Sequence, residues 1–193
     1  MARKREFDPD EVVEKAMLLF WEKGYSETSV RDLVDATGVA HAGLYAAFED
    51  KEGLYTATLA RYQKLVSEVL YAKLSAPDAG LDAIREFFGF VQTASKSAPF
   101  KNGCMMANTS VEFGDGNEQI RKLVLENLKK LTGAFRNALE NAQSAGDLPI
   151  DRDVNHLAAG LAASFQGLSI LARARAPQKI ITGAVQAALA QLD

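Results

Sequence analysis

Apolar positions along this 193-residue chain recur every three or four residues, the period of a helix with one buried face, and no stretch alternates as a strand would. The first run opens at Asp8-Pro9-Asp10-Glu11, with Asp8 as cap, Pro9 at the first helical position and Glu11 closing a capping box. Val12, Ala16, Leu19 and Phe20 then share one face until Gly24 stops the helix. A second run starts at Ser29, where Ser29 and Asp32 form an S-x-x-D capping box, turns Leu33 and Val34 inward, and leaves through Gly38. Glycine there can take the left-handed conformation that a sharp helix exit requires. Val39 is expected to fill the angle to a third run, His41 to Phe48, which sets Leu44 and Phe48 on a buried face. The opposite face carries His41, Ala42, Gly43 and Tyr45. This layout is that of a DNA-reading helix-turn-helix, because small and hydrogen-bonding residues at the start of the second helix let its backbone approach base edges in the major groove. An ordinary helical hairpin has the same spacing.

Beyond Lys51 the positions Leu54, Thr58, Tyr62, Leu65, Val66, Val69 and Leu70 predict one long helix reaching about Leu74. Ser75 to Gly80 read as a loop, and further helices are predicted over about 81–97, 103–113, 117–145, 153–174 and 177–192. The fold class is therefore all-α. An N-terminal three-helix domain, residues 1–52, is expected to be joined by the long helix to a C-terminal helical ligand-binding and dimerisation domain, residues 53–193.

Composition narrows the function. No apolar run approaches the ~20 residues that span a bilayer and the N-terminus is charged, so a cytoplasmic protein without a membrane partner is expected. One cysteine and two distant histidines, His41 and His156, offer neither a disulfide framework nor a metal cluster, so no metal or cofactor is expected. No nucleophile–base pair or phosphate loop suggests an enzyme. The net charge is −3, and residues 1–51 hold seven basic against eleven acidic side chains. Bulk electrostatics will not bring such a surface to DNA. Phosphate contacts must come from placed groups: Arg3, Lys4 and Arg5 on an N-terminal arm, and Lys51 at a helix start behind its cap Asp50.

The segments L-F-W-E-K-G-Y, T-S-V-R-D-L-V-D-A-T-G-V and G-L-Y-A-A-F-E-D-K-E-G-L together resemble the TetR family of bacterial transcriptional regulators over roughly residues 8–60. The resemblance implies a homodimer whose N-terminal domains read a double-stranded DNA operator and whose C-terminal domains hold a small-molecule effector that changes the separation of the two heads. It also implies that Arg31 contacts a base, that His41, Ala42 and Gly43 begin the recognition helix, and that Tyr45 and Lys51 contact phosphates. Ser29 joins this DNA-binding set. Ala46 and Ala47 stand where members often carry larger polar residues, which leaves few side chains to read bases.

In the C-terminal half, Tyr62, Val66, Phe87, Phe88, Val91, Met105, Phe135 and Phe165 are candidate walls of an apolar pocket, with Asn108 and Glu112 as polar orienters. A stripe of this kind also serves as plain core. Cys104 lies near the start of a short predicted helix with Lys101 nearby, a position that lowers a thiol pKa. Its G-C-x-x-x-N run is similar to that of family members proposed to sense reactive compounds, while as a free cysteine it equally suits a buried apolar place. Ala159, Ala163, Gly167, Ile181, Ala184, Val185 and Ala188 on the last two helices are the candidate dimer interface. The expected function is a repressor released from a pseudo-palindromic operator by a small apolar or electrophilic ligand. The alternative is a ligand-binding or protein-docking helical module that has lost sequence-specific DNA binding.

Overall fold

A computed structural model describes residues 7–114 and 116–193. The candidate arm residues Arg3, Lys4 and Arg5 lie outside the described residues. The chain runs through α1 (Pro9–Lys23), α2 (Val30–Thr37) and α3 (His41–Phe48) into a long α4 that begins as Lys51–Val66. There follow α5 (Leu81–Ala94), a 3-10 turn (Phe100–Asn102), α6 (Met105–Phe113), α7 (Glu118–Ala145), α8 (Val154–Arg173) and α9 (Gln178–Leu189). The all-α expectation holds, with no strand among the described residues.

The helix starts obey local chemistry, with one difference at α1. Asp8 accepts the Asp10 N–H at 2.9 Å, but Glu11 pairs with Lys15 at 2.7 Å instead of closing a capping box. At α2 the reciprocal box is complete: the Asp32 N–H donates to Ser29 Oγ and the Ser29 N–H donates to Asp32 Oδ2. Gly38 leaves α2 at φ 73 and its N–H closes the last turn on the Val34 carbonyl at 2.9 Å, a conformation that only glycine adopts without penalty. Leu33 and Leu44 from α2 and α3 are fully buried with Phe20 and Leu54, so the first three helices and the start of α4 share one core.

The long helix departs from the uninterrupted pattern. Thr58, Tyr62, Val66, Leu70 and Leu74 are all buried at a strict spacing of four. Four residues overshoot a 3.6-residue turn by about 40°, so an ideal α-helix would carry this stripe progressively off the core. The chain corrects the drift with a π-helical stretch, Ser67–Tyr71, before a last α-turn, Ala72–Leu74. Val69, predicted to face inward, is consequently 45% exposed.

In the C-terminal half α7 packs along α8, and α9 packs on both α8 and α5. α5 ends at Ala94, short of the predicted 97, and α6 begins at Met105 because Gly103 takes a positive φ of 75° and Cys104 is extended. Phe87 meets Phe88, Phe135 and Phe165 edge-on, with ring centroids 5.0 to 5.4 Å apart, which locks α5, α7 and α8 together.

Candidate DNA interface and effector cavity

Burying Leu33 and Leu44 leaves the outer faces of α2 and α3 to solvent. The Arg31 side chain is 91% exposed and its Nε is 3.9 Å from Asp35, too loose a pair to hold the guanidinium from a nucleic-acid base. His41 and Ala42 are exposed on the first turn of α3, with the His41 ring 4.3 Å from that of half-buried Tyr45. Ala40 caps α3 without a side-chain hydrogen bond, so the helix opens with amides that no side chain occupies. Gly43 belongs elsewhere: a Cβ on it would meet Val39 at 3.0 Å and Phe7 at 3.4 Å, so it serves the packing of α3 against its own chain. The Ser29 hydroxyl is engaged in the capping box with Asp32.

Asp32 is the electrostatic hub of this surface. The Lys23 ammonium donates to it at 2.8 Å, and the Ser29 hydroxyl and N–H donate as well. These bonds, Lys23 foremost, hold its carboxyl well below the usual carboxylate range. Lys51 opens α4 behind Asp50, which accepts the Gly53 N–H. Its ammonium lies 4.2 Å from the centroid of the Tyr25 ring. Partial burial pushes the Lys51 amine down from its usual value, against the opposing pull of Glu112 and Asp32.

The effector candidates separate into two groups. Tyr62, Val91 and Phe165 line a cavity of about 30 Å³ between α4, α5 and α8. Their companions there are Leu70, Phe90, Ala94, Ser95, Phe100, Gly103, Leu168, Ser169 and Ala172, none of them among the pocket candidates of the sequence. Val66, Phe87, Phe88, Met105 and Phe135 lie outside that lining and are buried core. The polar candidates also serve the chain itself. Asn108 donates to the Asn102 carbonyl at 3.1 Å, and the exposed Glu112 carboxylate accepts the N–H groups of Tyr25 and Ser26.

Cys104 is 2% exposed and does not line the cavity. Burial pushes its thiol up, outweighing the hydrogen bonds around it and reversing the lowering expected from its place at a helix start. On the last two helices Ala159, Ala163 and Gly167 are exposed, whereas Ile181, Val185 and Ala188 turn into the chain's own core. The exposed positions of α9 are Lys179, Ile180, Gly183, Gln186 and Ala187, beside half-buried Ala184. An open apolar groove of about 450 Å³ runs between the two helices, lined by Gly167, Ile170, Leu171, Ala184 and Ala187 among others.

A three-helix head with a solvent-facing second helix behind a glycine turn defines a helix-turn-helix DNA-binding protein. The sequence model for bacterial regulatory proteins of the tetR family matches residues 12–58, and that for the tetracyclin repressor-like C-terminal domain matches residues 80–188. The chain is 34% identical over 172 residues to the HTH-type transcriptional repressor ComR of Escherichia coli, covering 89% of this chain and 82% of ComR. It is 28% identical to the uncharacterized HTH-type transcriptional regulator YezE of Bacillus subtilis over the whole of both chains. A cysteine mutant of the TetR family transcriptional regulator CifR, solved with a 26-bp double-strand operator DNA, superposes over the full length of both chains with TM-score 0.87 and 27% identity. The chain belongs to the TetR family: it is a DNA-binding transcriptional regulator and not an enzyme. Among the described residues no helix is long and apolar enough to cross a membrane.

Proposed function

We propose that this regulator acts in the cytoplasm as a homodimeric repressor that binds a pseudo-palindromic operator and leaves it when a small apolar or amphipathic effector enters the cavity. The observation that carries the DNA half is the exposed Arg31 beside the open first turn of α3, on a head whose two helices are fixed by fully buried Leu33 and Leu44. Arg31 is assigned to a base edge and His41 and Ala42 to the groove, with Tyr45 and Lys51 on phosphates. The repressor ComR and the operator-bound transcriptional regulator CifR support this reading. We divide the chain into a reading head, residues 1–52, and an effector and dimerisation unit, residues 53–193.

The cavity supports an apolar effector, since rings and aliphatic chains surround two serines and Tyr62. At about 30 Å³ it has the room of a single water, so any effector must push its walls apart. A ligand that binds the expanded state better shifts the chain toward it, which couples binding to a change of shape. The buried, raised Cys104 thiol favours this non-covalent effector over an electrophile. Dimerisation is assigned to the small, exposed residues Ala159, Ala163 and Gly167 with Ile170, Ile180 and Ala184, because such a face lets helices of a second copy approach closely.

The test is a gel shift of the folded protein, its mass in solution determined, on the DNA immediately upstream of its own reading frame. Retardation with a two-fold-symmetric footprint is expected, with half-sites spaced by roughly 34–36 Å or a multiple of it. A folded dimer that retards no such fragment at low salt removes the repressor reading and leaves a helical ligand-binding module.

A further inference from the structure

Tyr25, in the turn after α1, is where three separate parts of the chain meet. Its N–H and that of Ser26 donate to the Glu112 carboxylate of α6 at 2.9 and 3.0 Å. Gly24, at φ 92, makes room for this approach, since a Cβ there would stand 3.0 Å from Glu112 Oε1. The Tyr25 ring packs against both Phe113, at 4.8 Å, and Tyr55, at 4.9 Å, which are themselves 5.4 Å apart. Lys51 Nζ rests over the same ring. The last two residues of α6 thus grip Tyr25 by backbone and by ring, and Tyr25 grips the ammonium. The approach to α6 is tied to the same region, because Trp21 Nε1 donates at 2.8 Å to the carbonyl of Gly103, a wall of the cavity.

We propose that Tyr25 is a positioning residue for Lys51 and that Glu112 makes its placement depend on α6, so the effector half governs a DNA phosphate contact through Glu112, Tyr25 and Lys51. This rests on Lys51 being a phosphate ligand, as assigned above. A lysine head already held over a ring has given up rotamer freedom before DNA arrives, and loses less on capture by a phosphate. Expansion of the cavity displaces Gly103 and the α6 that follows it, and its far end carries the displacement to the ring that seats Lys51.

The experiment is equilibrium binding of the full chain to a fluorescent duplex of its own upstream DNA across a salt series, with circular dichroism to verify each variant's fold. Lys51→Met is expected to bind about 8-fold more weakly per subunit at 0.1 M salt, with a salt slope shallower by about 0.9 per subunit. Glu112→Gln removes a negative charge, so electrostatics alone predicts tighter binding. The proposal predicts binding about 3-fold weaker per subunit instead. The double variant Glu112→Gln/Lys51→Met should bind no more weakly than Lys51→Met. Tyr25→Phe, which restores the ring, should recover most of the affinity that Tyr25→Leu loses. Additive losses in the double variant, or Glu112→Gln binding as tightly as the parent or tighter, overturn the proposal. An unchanged salt slope in Lys51→Met also overturns it, and is distinguishable because it removes the phosphate contact itself.

Discussion

The reading head and the effector half both enclose apolar cores, yet the effector half also leaves Val111, Ile150, Ile170 and Ile180 exposed, and the two are held by interactions of different range. In the head the deciding bonds are local: Ser29 with Asp32, Gly38 with Val34, Asp50 with Gly53. In the effector half they join residues far apart in sequence, such as Tyr71 with Asn127, Gln92 with Thr182 and Phe87 with Phe165. The head is thereby suited to move as one piece, while the effector half is a set of helices whose spacing a ligand can alter. What one effector changes is therefore chiefly the placement of the heads, the seat of Lys51 on Tyr25 being the point within the head that α6 reaches.

Substitutions can break or sharpen this contrast. The largest effect is expected from Phe135→Ala, which removes the α7 member of the ring cluster between α5, α7 and α8. A loss of about 3–5 kcal/mol is expected in urea unfolding. Arg31→Ala should do the opposite kind of damage, lowering operator affinity by about 1–3 kcal/mol in anisotropy titrations while leaving the unfolding midpoint within experimental scatter. Ser29→Ala removes one half of the α2 capping box and should cost about 1 kcal/mol of stability by the same urea assay. The smallest effect concerns pH. Because Asp32 is held as a carboxylate, its contribution is full above the unfolded carboxyl pKa, about 3.9, and fades as pH falls below it. Thermal melts from pH 6 to pH 3 should therefore fall more steeply for the parent than for Asp32→Asn. Equal slopes would show that the Lys23–Asp32 pair does not secure the head.

The same difference in range explains what the sequence disclosed. The limits of α2 and α3 follow from Ser29, Asp32, Gly38 and the Leu44–Phe48 spacing, all within a few residues of the feature they decide, and the structure reproduces them. The cavity depends on which faces of α4, α5 and α8 converge, so spacing marked Phe87 and Phe88, which are core, and passed over Phe90 and Phe100, which line it. Periodicity identifies an inward face but not what lies opposite. Cys104 shows a related limit: its place at a helix start is visible in sequence, while the burial that overrides that position is not. Glu112 is the instructive case, since its carboxylate was legible as a polar group on α6 but its partners, the amides of Tyr25 and Ser26, lie more than eighty residues away.

The π-helical stretch in α4 has a consequence for anyone exchanging heads between relatives. A helix transmits angle as well as length, and Lys51 and Leu74 sit at opposite ends of this shaft with one irregular turn before the second. A graft made before Ser67 keeps or loses that turn according to which parent supplies the downstream segment. If the stretch reverts to regular α-helix with no residue removed, the extra residue that the wider turn had absorbed lengthens the shaft by only about 1.5 Å but turns the head by about 100° around it. Two such heads would then face the wrong sides of the duplex, although every residue that touches DNA were unchanged. Functional chimaeras should accordingly be joined after Tyr71, where the phase has already been set.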